Sequence, residues 1–273
     1  RCKINRFAEE AHVAKRTTGT LFYLRVDLME FLRRLFSSDP GPSERQIRRA
    51  VKQVIQTHGE AATRVGAMER LASWKTPEAA AALLRRFTVQ TPQASMDLEE
   101  KQYAVRLLVD MGKSAVQPIL DYLNAEPDVT YPVRALRTLL PSDEYHKCLM
   151  DILTRLSTGY TRWPEAKAVL IAHLDDEAFA QVADAVFRSL EDEDDDVCIA
   201  AIDYLARNGG ETIREKLLQL FFDSEARPRV QGRILDHFCE KEWPVKGYRK
   251  KMEESIALPF YMTSKGTIKR RSE

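Results

Sequence analysis

Three groups of residues in this chain have types and spacings that invite chemistry, and each can be weighed against what that chemistry requires. Gly112-Lys113-Ser114 is the tail of a phosphate-binding loop. Such a loop wraps phosphates with backbone N–H groups only when another glycine stands five residues earlier and a strand leads in. Leu107 holds that earlier position, and Tyr103 to Met111 carries Val105, Leu108 and Val109 at helical spacing. The stretch therefore reads as helix, tight turn, helix, with Gly112 stopping the first and Ser114 capping the second.

The second group is Glu-Asp-Glu-Asp-Asp-Asp, Glu191 to Asp196. Calcium takes oxygen ligands of this kind, but its helix-flanked loop needs Gly at the sixth position and Glu at the twelfth. Counting from Asp192 puts Val197 and Asp203 there, and counting from Asp194 puts Ile199 and Leu205. The run is expected instead to cap the helix that starts near Val197, where carboxylates meet free N–H groups and the positive end of the dipole. The third group is four cysteines, Cys2, Cys148, Cys198 and Cys239, with no Cys-x-x-Cys spacing. They suit neither a zinc knuckle nor a secreted disulfide framework, and three of them fall on apolar helix faces as small core residues. No His-Glu-x-x-His, Gly-x-Ser-x-Gly or Gly-x-Gly-x-x-Gly occurs, so no catalytic residue, cofactor or metal is expected.

The elements that would position any site follow from a repeat. With Val105-Arg106 as a register mark, equivalents stand at Val65-Gly66, Val133-Arg134, Ala166-Lys167, Val197-Cys198 and Val230-Gln231, at spacings of 40, 28, 33, 31 and 33. Each mark is followed by a turn and a second apolar-periodic segment: TPEAAAALLRRF, SAVQPILDYL, SDEYHKCLMDILTRL, DEAFAQVADAVFRSL, ETIREKLLQLFF and GYRKKMEESI. A period of roughly thirty residues marks an array of helical hairpins. Glycine and proline are sparse and β-branched runs are absent, so the fold class is all-α.

Over Glu60 to Ile256 the chain resembles the HEAT-repeat proteins, specifically the short bacterial type named after the phycobilisome lyases. The resemblance is carried by the Val-Arg marks, Gly112 and Gly209-Gly210 in the turns, and AVQPILDYL. It implies a right-handed α-solenoid of about six helix pairs over residues 59–257, and such arrays serve as scaffolds, adaptors and, less often, enzymes. Three enzyme classes on that architecture can be tested. Di-iron hydroxylases use His-Glu dipeptides, whereas the five histidines here precede Val13, Gly59, Lys147, Leu174 and Phe238. Alkylpurine DNA glycosylases use a carboxylate and tryptophans on a basic concave face. Trp74, Trp163 and Trp243 lie near helix ends in acidic surroundings, where they read as packing wedges. No feature marks a bilin site of the lyase kind.

Charge bears on partners. Residues 1–57 carry 12 Lys/Arg against 6 Asp/Glu, residues 58–240 carry 21 against 31, and residues 241–273 carry 9 against 4. A nucleic-acid-binding array presents Lys and Arg to phosphates, so the acidic repeats are not expected to bind nucleic acid. The expected function is a non-catalytic protein-interaction module or scaffold, with an unknown protein or peptide as partner. The alternative is a DNA-processing enzyme of the alkylpurine glycosylase type or an enzyme-associated lyase subunit.

The expected docking face comes from the second helices. Asp151 and Asp184 stand 33 residues apart, each followed four residues on by an arginine, Arg155 and Arg188; a similar step reaches Asp121 in one direction and Glu215 in the other. Ile119, Leu123, Ile152, Leu156, Val182, Val186, Leu217 and Leu220 should point to the core, leaving this acidic ladder in solvent. In HEAT-like arrays the second helices line the concave side.

The ends read differently. Residues 1–28 show no sustained period; they are either an extension before a native start at Met29 or a helix docked on the first repeat. Residues 29–58 are expected to cap the array, with Ser43 and Gln46 as a capping box for a basic helix running towards His58. Residues 258–273 suit a hairpin, Phe260–Thr263 and Thr267–Arg270 around Ser264-Lys265-Gly266. That hairpin is either a lid that lays Phe260, Met262 or Ile268 on the last pair, or a basic tail, Lys269-Arg270-Arg271, for an acidic partner or a lipid surface. LFYLRVDLMEFL is interrupted by Arg25, Asp27 and Glu30, which argues against a membrane span. The expected location is the cytoplasm.

Overall fold

In a computed structural model of the chain, the structure describes residues 41–157, 163–224 and 227–271. Contacts divide the chain into two units, residues 1–44 and 45–273, and the described helices and strands, Glu44 apart, belong to the second. The expectations for residues 1–28 and for Met29 lie outside the described residues.

Among the described residues the fold is all-α apart from one small hairpin. Thirteen α-helices follow one another: α1 (Glu44–Val54), α2 (Ala61–Trp74), α3 (Pro77–Leu84), α4 (Ala94–Met111), α5 (Lys113–Ala125), α6 (Thr130–Leu139) and α7 (Ser142–Leu156), then α8 (Pro164–Ala172), α9 (Phe179–Ser189), α10 (Asp195–Asn208), α11 (Glu211–Asp223), α12 (Pro228–Glu240) and α13 (Arg249–Ser255). Short 3₁₀ turns, Arg85–Thr88 and Asp176–Ala178, follow α3 and precede α9. None of these helices is long and apolar enough to cross a membrane.

Local chemistry sets the boundaries. Thr76 accepts a bond from the Ala79 N–H at 3.2 Å and Pro77 opens α3, satisfying free donors at a position where proline loses nothing. Gly112 joins α4 directly to α5 at φ 66° and ψ −138°, a region that a Cβ would strain. The expected Ser114 cap is overturned: α5 already starts at Lys113, and the Ser114 hydroxyl donates to the Met111 carbonyl at 3.0 Å. The buried stripe of α4 is also displaced from the predicted one, with Ala104, Leu107, Leu108 and Met111 inside while Val105 and Val109 are half-buried. Before α10, Asp194 caps as expected, accepting from the N–H groups of Asp196 and Val197.

Packing links helices two apart in the chain. The first helices of the predicted pairs, α2, α4, α6, α8, α10 and α12, each touch the next in that series, and so do the second helices α3, α5, α7 and α9. Between the two series runs one continuous core that includes Leu71, Leu83, Leu108, Ile119, Leu136 and Leu149, continuing through Leu170, Val186, Leu205, Leu217 and Ile234. Each such side chain contributes about 1.5–3 kcal/mol by leaving water. The register marks Val133, Ala166, Val197 and Val230 are buried within it. Cys198 is buried as predicted, Cys148 packs at the core's edge, and Cys239 is only half-buried.

The chain closes with β1 (Phe260–Met262) and β2 (Ile268–Arg270), antiparallel with Met262 opposite Ile268. Gly266 turns the hairpin at φ 77°. β2 lies against α12, and Ile268 is fully buried there, while Phe260 and Met262 pack at the edge of the core. The basic residues are also engaged: Lys269 with Glu242, and Arg270 with Asp236.

Candidate functional site

The predicted ladder residues stand on second helices: Asp121 on α5, Asp151 and Arg155 on α7, Asp184 and Arg188 on α9, and Glu215 on α11. All six are exposed. Ile119, Leu123, Ile152, Val182, Val186 and Leu217 are buried beneath them, with Leu156 and Leu220 half-buried against the core. Helical geometry explains this: residues three and four apart share a face, so one apolar stripe inward leaves the intervening positions in water. Since α5 touches α7 and α7 touches α9, the residues from Asp121 to Arg188 occupy successive packed helices. Gln117 donates to Asp121 at 2.8 Å, and the Arg155 Nε donates to the backbone carbonyl of Asp151 at 3.2 Å.

Two clefts lie beside these second helices. One, of about 450 Å³, separates α3 from α5; Pro77, Ala81, Pro118 and Tyr122 line it, with Glu78, Asp121 and Glu126 as its charged residues. The Tyr122 hydroxyl is buried without a hydrogen-bond partner among the described residues, and burial raises its pKa. The other, of about 500 Å³, lies among α7, α8 and α9, with Leu153, Ile171 and Val186 on its apolar surface and Arg188 beside it. Its polar wall is the buried Lys167, paired with Asp192 at 2.5 Å. Sequence periodicity places neither cleft, because each depends on the separation of helices in space.

A buried ionic cluster joins the first two pairs. Arg64 on α2 grips Glu100 on α4 with two bonds, Nε to Oε2 at 2.9 Å and Nη2 to Oε1 at 2.6 Å. Arg86 donates to Glu100 at 3.0 Å and to Asp97 at 2.7 Å, and Lys101 lies 3.0 Å from Asp97. All five side chains are buried. Burial by itself would raise the Asp97 carboxyl, but bonds from Arg86, the Thr91 N–H and Lys101 outweigh it and hold it down at about 2. Every charge here has a counter-charge, which is what allows it out of water. The arrangement is structural: its donors and acceptors are spent on one another and on the backbone of Gly59, Val89 and Thr91.

The acidic run is likewise occupied. Besides the Asp194 cap, Asp192 pairs with Lys167 of α8, Asp195 with Arg227 at 2.7 Å, and Asp196 with Arg229 of α12. On α10, Asp203 accepts from Arg233 and from His237 at 2.7 Å. Burial pushes the Asp203 carboxyl up, but those two bonds prevail and its pKa is lowered. The separations from Asp195 to Arg227, Asp196 to Arg229 and Asp203 to Arg233 are 32, 33 and 30 residues. They match the repeat step, a signal that pairing opposite charges one period apart would have found.

The tryptophans sit where packing needs them. Trp74 ends α2, Trp163 precedes α8, and Trp243 sets its ring edge-on to Phe238 at 5.4 Å; all three are half-buried against the core. Comparison with known proteins finds no match: no family model fits the chain, and no curated protein or solved structure is similar to it.

Proposed function

We propose that residues 59–257 form a right-handed, HEAT-like α-solenoid that works as a non-catalytic protein-interaction module, docking a partner on the exposed face of its second helices. The contacts between helices two apart support the architecture, since stacking of like elements is how a repeat array buries a core. The observation that carries the function is the coincidence of exposed charges on one series of helices, Asp121 to Arg188, with two clefts beside them. The charges of the Arg64–Glu100 cluster and of Asp192, Asp195 and Asp196 are committed within the fold. Exposed side chains can supply complementarity to a partner without first breaking a buried ion pair.

The test compares three forms of the full chain as affinity baits. Asp151→Lys combined with Asp184→Lys reverses the second-helix face, and Glu99→Lys combined with Asp110→Lys reverses exposed charges on α4, a first helix. The reading expects the first variant to lose proteins that the wild type captures and the second to keep them, with unchanged helical circular dichroism in both. Equal capture by all three would overturn it.

A further inference from the structure

We infer that the cleft between α3 and α5 takes a segment of another protein that carries an apolar anchor residue flanked by lysine or arginine. The inference rests on the reading of the second-helix face as a docking surface and names the chemistry of what docks there.

The charge in the cleft is one-sided. The charged groups lining it are Glu78, Asp121 and Glu126, all carboxylates, and among the described residues no lysine or arginine lines it. The Gln117 amide is a donor, and one of its two N–H groups goes to Asp121 at 2.8 Å. Arg85 approaches the outer edge, where it pairs with Glu126 at 3.4 Å with half of its side chain in solvent. The Tyr122 hydroxyl is buried and has no partner among the described residues. The three carboxylates thus meet no cation among the residues that line the cleft, and an ammonium or guanidinium group supplies donors and the opposite charge together.

The lining between those carboxylates is apolar: Pro77, Ala81, Leu84, Pro118 and the Tyr122 ring. A volume of about 450 Å³ falls within the range of ligand-binding clefts. The α3 residues that face it, Pro77 and Ala81, are one helical turn apart and exposed, so no described residue fills the space. An apolar anchor entering it leaves water, and flanking cations meet Glu78 and Asp121. An acidic or neutral segment gains the first term and loses the second.

The experiment selects peptides of about twelve residues from a random displayed library on the full wild-type chain, then measures binding of the recovered peptides by fluorescence anisotropy. Two variants are compared: Ala81→Arg, which fills the cleft from an exposed helix position, and Glu78→Lys with Asp121→Lys. Recovered peptides should combine an apolar residue with Lys or Arg, weaken with added salt, and lose at least about tenfold in affinity on both variants. Recovery of acidic or uncharged peptides alone, retained affinity on Ala81→Arg, or no cleft-dependent peptide would each overturn the inference. Such a failure is separable from failure of the broader reading, since the Asp151→Lys, Asp184→Lys double variant probes α7 and α9 and leaves this cleft intact.

Discussion

Arg86 and Asp97 meet at 2.7 Å with the arginine side chain fully out of water and the aspartate almost so. Neither would be stable there alone, and the geometry joins the 3₁₀ turn after α3 to the first turn of α4. The Asp97 carboxyl, held at about 2 against an ordinary 3.8, converts this bond into a pH dependence. Because the folded-state pKa lies below the unfolded one, the contribution is complete above about pH 4 and is lost as pH falls towards about 2.

Asp97→Asn should therefore cost about 2 kcal/mol at neutral pH by this linkage. In denaturant titrations at a series of pH values, the gap between variant and wild type should close between about pH 4 and pH 2. A gap independent of pH over that window would show that the ionised form of Asp97 is not what the cluster stabilises.

The Asp194 cap gives a second expectation. Its carboxylate accepts from two N–H groups at the start of α10, so Asp194→Ala should destabilise the protein by about 1 kcal/mol. Asp194→Asn should recover most of that loss, since the amide oxygen still accepts. Equal losses in both would assign the effect to charge on the helix dipole and not to the cap.

A third concerns thiol chemistry. Burial pushes the Cys198 thiol up to about 11, and its Sγ donates to the Leu190 carbonyl at 3.3 Å. Cys198 should stay unmodified by iodoacetamide at neutral pH in the native protein and react only on unfolding, as peptide mapping would reveal. Native labelling of Cys198 at the rate of a free thiol would contradict its placement in the core.

What the sequence disclosed and what it concealed have separate physical causes. The boundaries of α7, Ser142 to Leu156, coincide with SDEYHKCLMDILTRL because apolar period and breaker residues are local properties. The closing hairpin was legible for the same reason, with Gly266 supplying the positive φ. Ser114 misled because a hydroxyl beside a helix start can turn to a carbonyl as readily as to an N–H, and Gly112 already serves both helix ends. The Arg64–Glu100 bond spans 36 residues and buries charges that composition assigns to the surface. Of the candidate site, exposure of Asp121, Asp151 and Asp184 followed from periodicity. The clefts beside them depend on interhelical spacing, which no single segment encodes.

The central claim is that partners dock on the second helices, and hydrogen–deuterium exchange of the wild-type chain, free and bound to a partner it captures, tests it most directly. New protection is expected in peptides from α3, α5, α7 and α9, with α4 and α6 unchanged. Protection confined to those first helices, or to the closing hairpin, would contradict it.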